Sequence, residues 1–247
     1  MIQQLIDQLL AWSSAHLGDD IVVARKEYFG RTGGEVHEDD RSFDARMQGF
    51  FNWYLFDRRT QGDLGLQSPA QRFLQEKGGT IFDKELLVGA TRSRLSLYSY
   101  LGHRTLLRRV PDGMVRVRDG FTGDDYDVLE KKQMTGLEEG DLFEARLIPV
   151  GGKYQFSSSF LFHPREVRRA VLREIKRRRK ALELSDPSGF CWEVSKMALQ
   201  AERFRNVSIE AIYNFETPFL GHKKPRSHEP GTGTGSGPGA GQGGGHG

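Results

Sequence analysis

The sequence predicts an α+β protein: a helical N-terminal part, a small antiparallel β-barrel-like middle, two C-terminal helices and a disordered Gly-rich tail. Three observations predict it. Apolar residues recur every three or four positions through residues 1–92. Across residues 93–163 they alternate, and glycine-rich turns interrupt them. Residues 164–220 return to helical spacing, and residues 221–247 lose all periodicity. A chain of 247 residues holds one large domain or two small ones.

In the first helix Ile2, Leu5, Ile6, Leu9 and Leu10 make one apolar stripe. A short helix follows over Asp20 to Phe29, before the turn "GRTGGE". The stretch "VHEDDRSFDARMQGFFNWYLFDRR" then holds His37, Glu38, Asp39, Asp40 and Asp44, with six aromatics from Phe43 to Phe56. Oxygen ligands so close could hold a divalent cation, but the alternating acids and central Gly of a calcium loop are missing. The acids read instead as a helix start, with Asp40 or Ser42 as cap. Phe43, Met47, Phe50, Phe51, Tyr54 and Leu55 form the inward stripe, with Trp53 and Phe56 toward its edge. "SPAQRFLQEKGG" is a helix capped by Ser68, with Pro69 in its first turn and Gly78 as its stop.

The middle third opens near Leu95. "RVPDGMVRV" joins two extended runs through Pro111, Asp112 and Gly113. "FTGDDYDV" adds a turn and a short strand. "LFEARLIPVGGKYQFSS" is the clearest hairpin, with Gly151-Gly152 as its loop and Phe143, Ala145, Leu147, Tyr154 and Phe156 on one face. Four to six short strands make a barrel or curled sheet of OB or SH3-like size. Beyond it, Val167, Val171, Ile175 and Leu182 share one side of a helix that opens at Pro164. A second helix, capped by Asp186, buries Phe190, Val194, Met197, Ala198, Ala201 and Phe204. The tail "PGTGTGSGPGAGQGGGHG" is flexible coil by composition, with ten glycines in eighteen residues.

Charge is unevenly distributed. Residues 1–90 carry −4, residues 91–163 +1 and residues 164–247 +6. The basic excess concentrates in Arg165, Arg168, Arg169, Arg173, Lys176, Arg177, Arg178, Arg179 and Lys180, opposed on that segment by Glu166 and Glu174 alone. Such a helix meets phosphates or an acidic protein surface, the chain's own acidic N-terminal helices included, unless it is simply a solvated face. With Asp112-Gly113 as the hairpin loop, Arg109, Arg116 and Arg118 join the basic set. Asp124, Asp125 or Asp127 on the next strand compete to neutralise them.

Other chemistry is thinly signalled. Asp112, Glu130, Lys131 and Lys132 fit the loose pattern of a metal-dependent nuclease, although Pro-Asp-Gly is better explained as a turn. There is no P-loop, nucleophile-elbow serine, zincin motif or dinucleotide glycine fingerprint. The single cysteine, Cys191, sits among apolar residues and reads as an inert buried thiol. His222, His228 and His246 lie in the tail and define no metal site. The N-terminus lacks a positive n-region and carries Asp7, so it is no secretory signal, and no apolar run is long enough to span a membrane. A reducing, cytoplasmic setting follows from the lone cysteine.

The segments "ARKEYFGRTG", "FFNWYLFDR", "RFL" and "GDLFEARLIPVGGKYQFS" resemble an uncharacterised bacterial domain sometimes found beside the SEC-C zinc motif. The resemblance implies no activity, and the cysteine-rich SEC-C motif itself is absent, so no zinc role carries over. The sequence thus points to a non-catalytic cytoplasmic protein that binds nucleic acid or another polyanion through a basic helix, without cofactor or metal. The alternatives are a protein-interaction or self-assembly module and, third, a nuclease.

Overall fold

The computed structural model describes residues 1–62, 65–78, 83–102, 113–130, 136–181 and 187–221. Four helices of the N-terminal part come first: α1 (Ile2–His16), α2 (Asp20–Arg31), α3 (Phe43–Phe56) and α4 (Pro69–Lys77). A small hairpin of β1 (Thr60–Gly62) and β2 (Gly65–Gln67) separates α3 from α4. Helix α5 (Lys84–Thr91) leads into β3 (Arg94–Gly102), β4 (Met114–Asp119), β5 (Asp125–Leu129), β6 (Leu142–Val150) and β7 (Lys153–Phe162). A 3-10 turn (Arg165–Val167) opens α6 (Arg168–Lys180), and α7 (Pro187–Arg203) and α8 (Ile209–Ile212) complete the set.

The five long strands pair in the order β3-β4-β5-β7-β6, and β6 pairs back onto β3. All these pairings are antiparallel except the seam between β5 and β7, which is parallel. Among the described residues that seam pairs Val128 with Tyr154 and Leu129 with Gln155. The result is a five-stranded, partly open Greek-key barrel of the OB type. The predicted hairpin forms as read: Val150 pairs with Lys153, and Gly151 and Gly152 both take positive φ, 58° and 69°. Two positive φ angles in succession make the turn whose twist suits a two-residue hairpin.

Three apolar clusters form among the described residues. Tyr98, Val115, Val117, Val128, Phe143, Ala145, Leu147 and Phe156 fill the barrel. The N-terminal helices bury Leu5, Ile6, Leu9, Phe29, Phe50, Tyr54 and Leu55 against Leu87 and against Ile148 of β6. On another side, Val171 and Ile175 of α6 and Phe190, Val194 and Met197 of α7 cover Leu97, Phe121 and Leu142. Each such side chain, fully buried, contributes roughly 1.5–3 kcal/mol. Leu182 and Asp186 fall outside the described residues, as do Pro111 and the tail.

Two readings of the aromatic helix need correction. Trp53 and Phe56 do not sit at an exposed edge; they are 4% and 3% exposed. Helix α3 lies between other helices and the barrel wall, so its second half is buried nearly all round. The helix start also differs. Ser42 is the cap position, but its side chain makes no capping hydrogen bond. Its Oγ donates to Glu202 instead (2.7 Å), and Asp40 accepts from Arg203 of α7 (2.6 Å) and from the His37 backbone N–H (2.8 Å). Within the acidic cluster Asp40 is a docking point for α7. By contrast, Ser68 and Gln71 form the reciprocal capping box on α4.

Gly89 reports how tightly α5 meets the sheet: a Cβ there would run into the Pro149 carbonyl of β6. Helix propensity alone would favour Gly89→Ala by about 1 kcal/mol. The clash decides otherwise, and the substitution is expected to destabilise by about 1–3 kcal/mol. Urea unfolding measures this as a lowered midpoint at unchanged slope; a raised midpoint would show that α5 does not pack as described.

Candidate polyanion interface

Helix α6 is where the sequence concentrates its cations, and the fold sorts them by helical angle. Val171 and Ile175 point inward and fix which side is buried. Arg178 lies on that side. Its Nε donates to Glu174 Oε1 (2.7 Å), and its Nη1 and Nη2 donate to Glu193 of α7 (2.6 and 3.0 Å). The guanidinium also lies 4.9 Å from the ring centroid of Phe190 and 5.8 Å from that of Phe215. Arg177 reaches back to Glu174 through two hydrogen bonds of 2.9 Å. These guanidinium partners, Arg177 first, hold the Glu174 carboxyl below its ordinary value of 4.5 against the opposing effect of burial.

The start of the helix is tethered in the same way. Arg165 donates twice to Asp141 (2.8 and 2.9 Å) and pairs with Glu138 (2.8 Å), while Arg168 donates to the Glu139 carbonyl. At Asp141, burial raises the pKa, but the hydrogen bonds from Arg165 and from the Glu138 N–H outweigh it and the value falls.

What remains is one stripe. Arg169, Arg173, Lys176 and Lys180 stand at i, i+4, i+7 and i+11, all exposed. That spacing puts four cations on a single face, diametrically away from Val171 and Arg178. The stripe runs about 16 Å at 1.5 Å per residue. None of the four has a carboxylate partner among the described residues, and exposed Arg179 flanks them without one.

The hairpin arginines behave differently. Arg116 donates twice to Asp127 (2.7 and 2.8 Å) and Arg118 twice to Asp125 (2.7 and 3.1 Å), across the β4–β5 ladder. Two of the three acids foreseen as competitors take them. Arg109 lies outside the described residues, as do Asp112, Lys131 and Lys132 of the nuclease pattern and the tail histidines. Cys191 is fully buried. Among the described residues no three His, Cys, Asp or Glu side chains cluster as metal ligands, and no helix is long and apolar enough to cross a membrane.

Sequence reasoning missed a buried polar seam between the helices and the outer wall of β6. Glu144, Arg146 and Ile148 face outward from the barrel, yet α3 and its neighbours cover them. Arg146 donates to Asp57 and to Ser93 Oγ (2.9 Å), and Arg46 donates to the Ser195 carbonyl (2.6 Å) and to Ser42 Oγ (2.8 Å). His163 Nε2 stands 3.2 Å from Glu144 Oε1, with Nδ1 3.1 Å from the Tyr213 hydroxyl. An acid, an imidazole and a phenol in a row invite an acid–base reading. His163 and Tyr213 are buried, and the cavity that Glu144 borders, with Tyr28, Arg46 and Asn52, measures about 20 Å³. That holds about one water molecule and no substrate. The seam joins layers.

Residues 31–193 match the model of a family of unknown function, DUF7986. No curated protein and no solved structure matches the chain.

The paired carboxylates set an acid limit. Asp40, Asp141 and Glu174 all have folded pKa values below their ordinary 3.8, 3.8 and 4.5. Their stabilisation is complete above those values and is lost as pH falls through the lower folded ones. The thermal midpoint should hold from neutrality to about pH 5 and decline below about pH 4.5. Glu174→Gln should be less stable at neutral pH and decline less in acid; an acid decline as steep as the parent's would contradict the pairing.

Proposed function

We propose that this chain, which belongs to the DUF7986 family of unknown function, is a non-catalytic binding protein that engages nucleic acid or another polyanion through the outward face of α6. One observation carries the reading: four exposed cations share one stripe while Arg177 and Arg178 on the same helix are neutralised internally. Had the chain's own acids matched all nine, nothing would be left to recruit. The acids supplied are specific, and they hold the helix at both ends rather than along its outer face.

The mechanism is electrostatic. Cations at one- and two-turn intervals meet successive phosphates, displace condensed counterions and hold the polymer without reading its sequence. The helix C-terminus, with its partial negative charge, favours Lys176, Arg179 and Lys180 where they stand. The OB-type barrel contributes little directly. Such barrels bind oligonucleotides on the face of their second and third strands. Here that face carries the bidentate pairs of Arg116 with Asp127 and Arg118 with Asp125. The fold analogy therefore adds less than α6 does. A second reading, self-assembly, rests on exposed Glu38, Asp39 and Asp44 in the N-terminal half. It predicts a salt-sensitive dimer in sedimentation and no affinity for oligonucleotides.

Four phosphate contacts imply a slope of log affinity against log salt of about −3 on random-sequence single strands. Fluorescence anisotropy with a labelled oligonucleotide measures it. Arg173→Glu with Lys176→Glu should weaken binding by at least about tenfold and roughly halve the slope, while Lys196→Glu should change neither. Binding that ignores salt, or survives the double reversal, would end the proposal.

A further inference from the structure

Helix α7 turns Phe190, Glu193 and Met197 toward α6 and the barrel, and Trp192, Ser195 and Leu199 toward α2 and α3. On this second side a groove of about 460 Å³ opens between α2, the end of α3 and the start of α7. Its size falls within the range of small-molecule sites. One wall is the half-buried Trp192 indole, with the Trp53 ring edge-on at 6.2 Å and the Arg31 guanidinium 4.8 Å from its centroid. Arg58 and Arg59 complete the rim.

The hydrogen-bond inventory of the groove is lopsided. Both oxygens of Glu27 are taken, Oε1 by Arg31 (2.8 Å) and Oε2 by Arg58 (3.1 Å). Asp20 accepts from Arg58 (2.6 Å), and Asp57 is engaged by Arg146 from beneath. Each guanidinium carries five N–H donors. Exposed Arg59 spends one nitrogen, on Gln71 (2.7 Å), and half-exposed Arg31 spends one on Glu27. The carboxylates are already paired with arginines while guanidinium donors are left over, so the complementary ligand is rich in acceptors and anionic. Beside an indole carrying a guanidinium, a planar ring finds a stacking surface.

We propose that this groove binds a mononucleotide unit, with its phosphate on Arg59 and Arg31 and its base against the Trp192–Arg31 pair. The unit is either a free nucleotide or the phosphorylated end of a strand. No residue of the α6 stripe lines the groove, so this site stands or falls independently of that interface.

Equilibrium dialysis of the full chain with adenosine 5′-monophosphate tests it, with tryptophan fluorescence as a second readout. Saturable binding is expected at micromolar to millimolar concentration, with adenosine and inorganic phosphate each weaker by about tenfold or more. Arg59→Ala, at an exposed position, should weaken binding by about tenfold with an unchanged circular dichroism spectrum, whereas Arg173→Glu should leave it intact. A 5′-phosphorylated dinucleotide that binds more tightly than the monophosphate assigns the site to strand ends, and the reverse order assigns it to free nucleotides. No saturable binding at millimolar concentration, or binding undiminished in Arg59→Ala, overturns the proposal.

Discussion

Glu174, Arg178 and Glu193 form the clamp on which the exposed face of the basic helix depends. Nine cations against two acids on one segment cannot be neutralised locally, and the fold resolves the imbalance by geometry. Arg178 lies toward α7, where Glu193 and two phenyl rings receive it, and Glu174 takes Arg177 as well. At the other end the loop before β6 supplies Glu138 and Asp141 to Arg165. With both ends tied and Val171 and Ile175 buried, the helix has no freedom to roll. Arg169, Arg173, Lys176 and Lys180 must face solvent together. A partly buried ion pair gains little net stability over apolar packing, but breaking one side of it is costly. The clamp is therefore better understood as fixing orientation than as supplying stability.

The barrel gives this helix its platform and shares the same logic of paired charge. Its second and third strands carry Arg–Asp pairs across the ladder, which removes a like-charge conflict between Arg116 and Arg118. On β6, alternation sends Phe143, Ala145 and Leu147 inward and Glu144 and Arg146 outward. The outward pair is then covered by helices: Arg146 finds partners in Asp57 and Ser93, while Glu144 Oε1 lies 3.2 Å from His163 Nε2 without a hydrogen bond between them. A sheet covered on both faces with polar residues on one of them is expensive unless those residues are bonded. The seam meets part of that demand, through Arg46 and the two terminal nitrogens of Arg146, and specifies how the two layers register.

Much of this was legible in the sequence. Periodicity of 3.6 and of 2 separated the helical and barrel regions, and the Gly151-Gly152 hairpin, the Ser68 cap and the apolar faces of α1 and α6 followed from local rules. The partners of Arg116 and Arg118 were also readable, because a two-strand register needs only a turn and a period. What could not be read depends on contacts between distant residues. Glu193 lies 15 residues from Arg178, and Glu202 lies 160 residues from Ser42. No local pattern announces either. The burial of Trp53 and Phe56 was missed for the same reason, since a helix face becomes interior only when a second layer arrives. The outward stripe was hidden inside a run of cations that looked uniform until the buried side of the helix was known.

The account's central claim is that the outward face of α6 meets the backbone phosphates of the polyanion. Lysine acetylation with a small amine-reactive reagent, mapped by mass spectrometry with and without a bound single-stranded oligonucleotide, tests it most directly. The account predicts that Lys176 and Lys180 lose reactivity on binding while the equally exposed Lys153 and Lys196 keep theirs. Uniform protection of all four, or protection confined to Lys153 and Lys196, would contradict it.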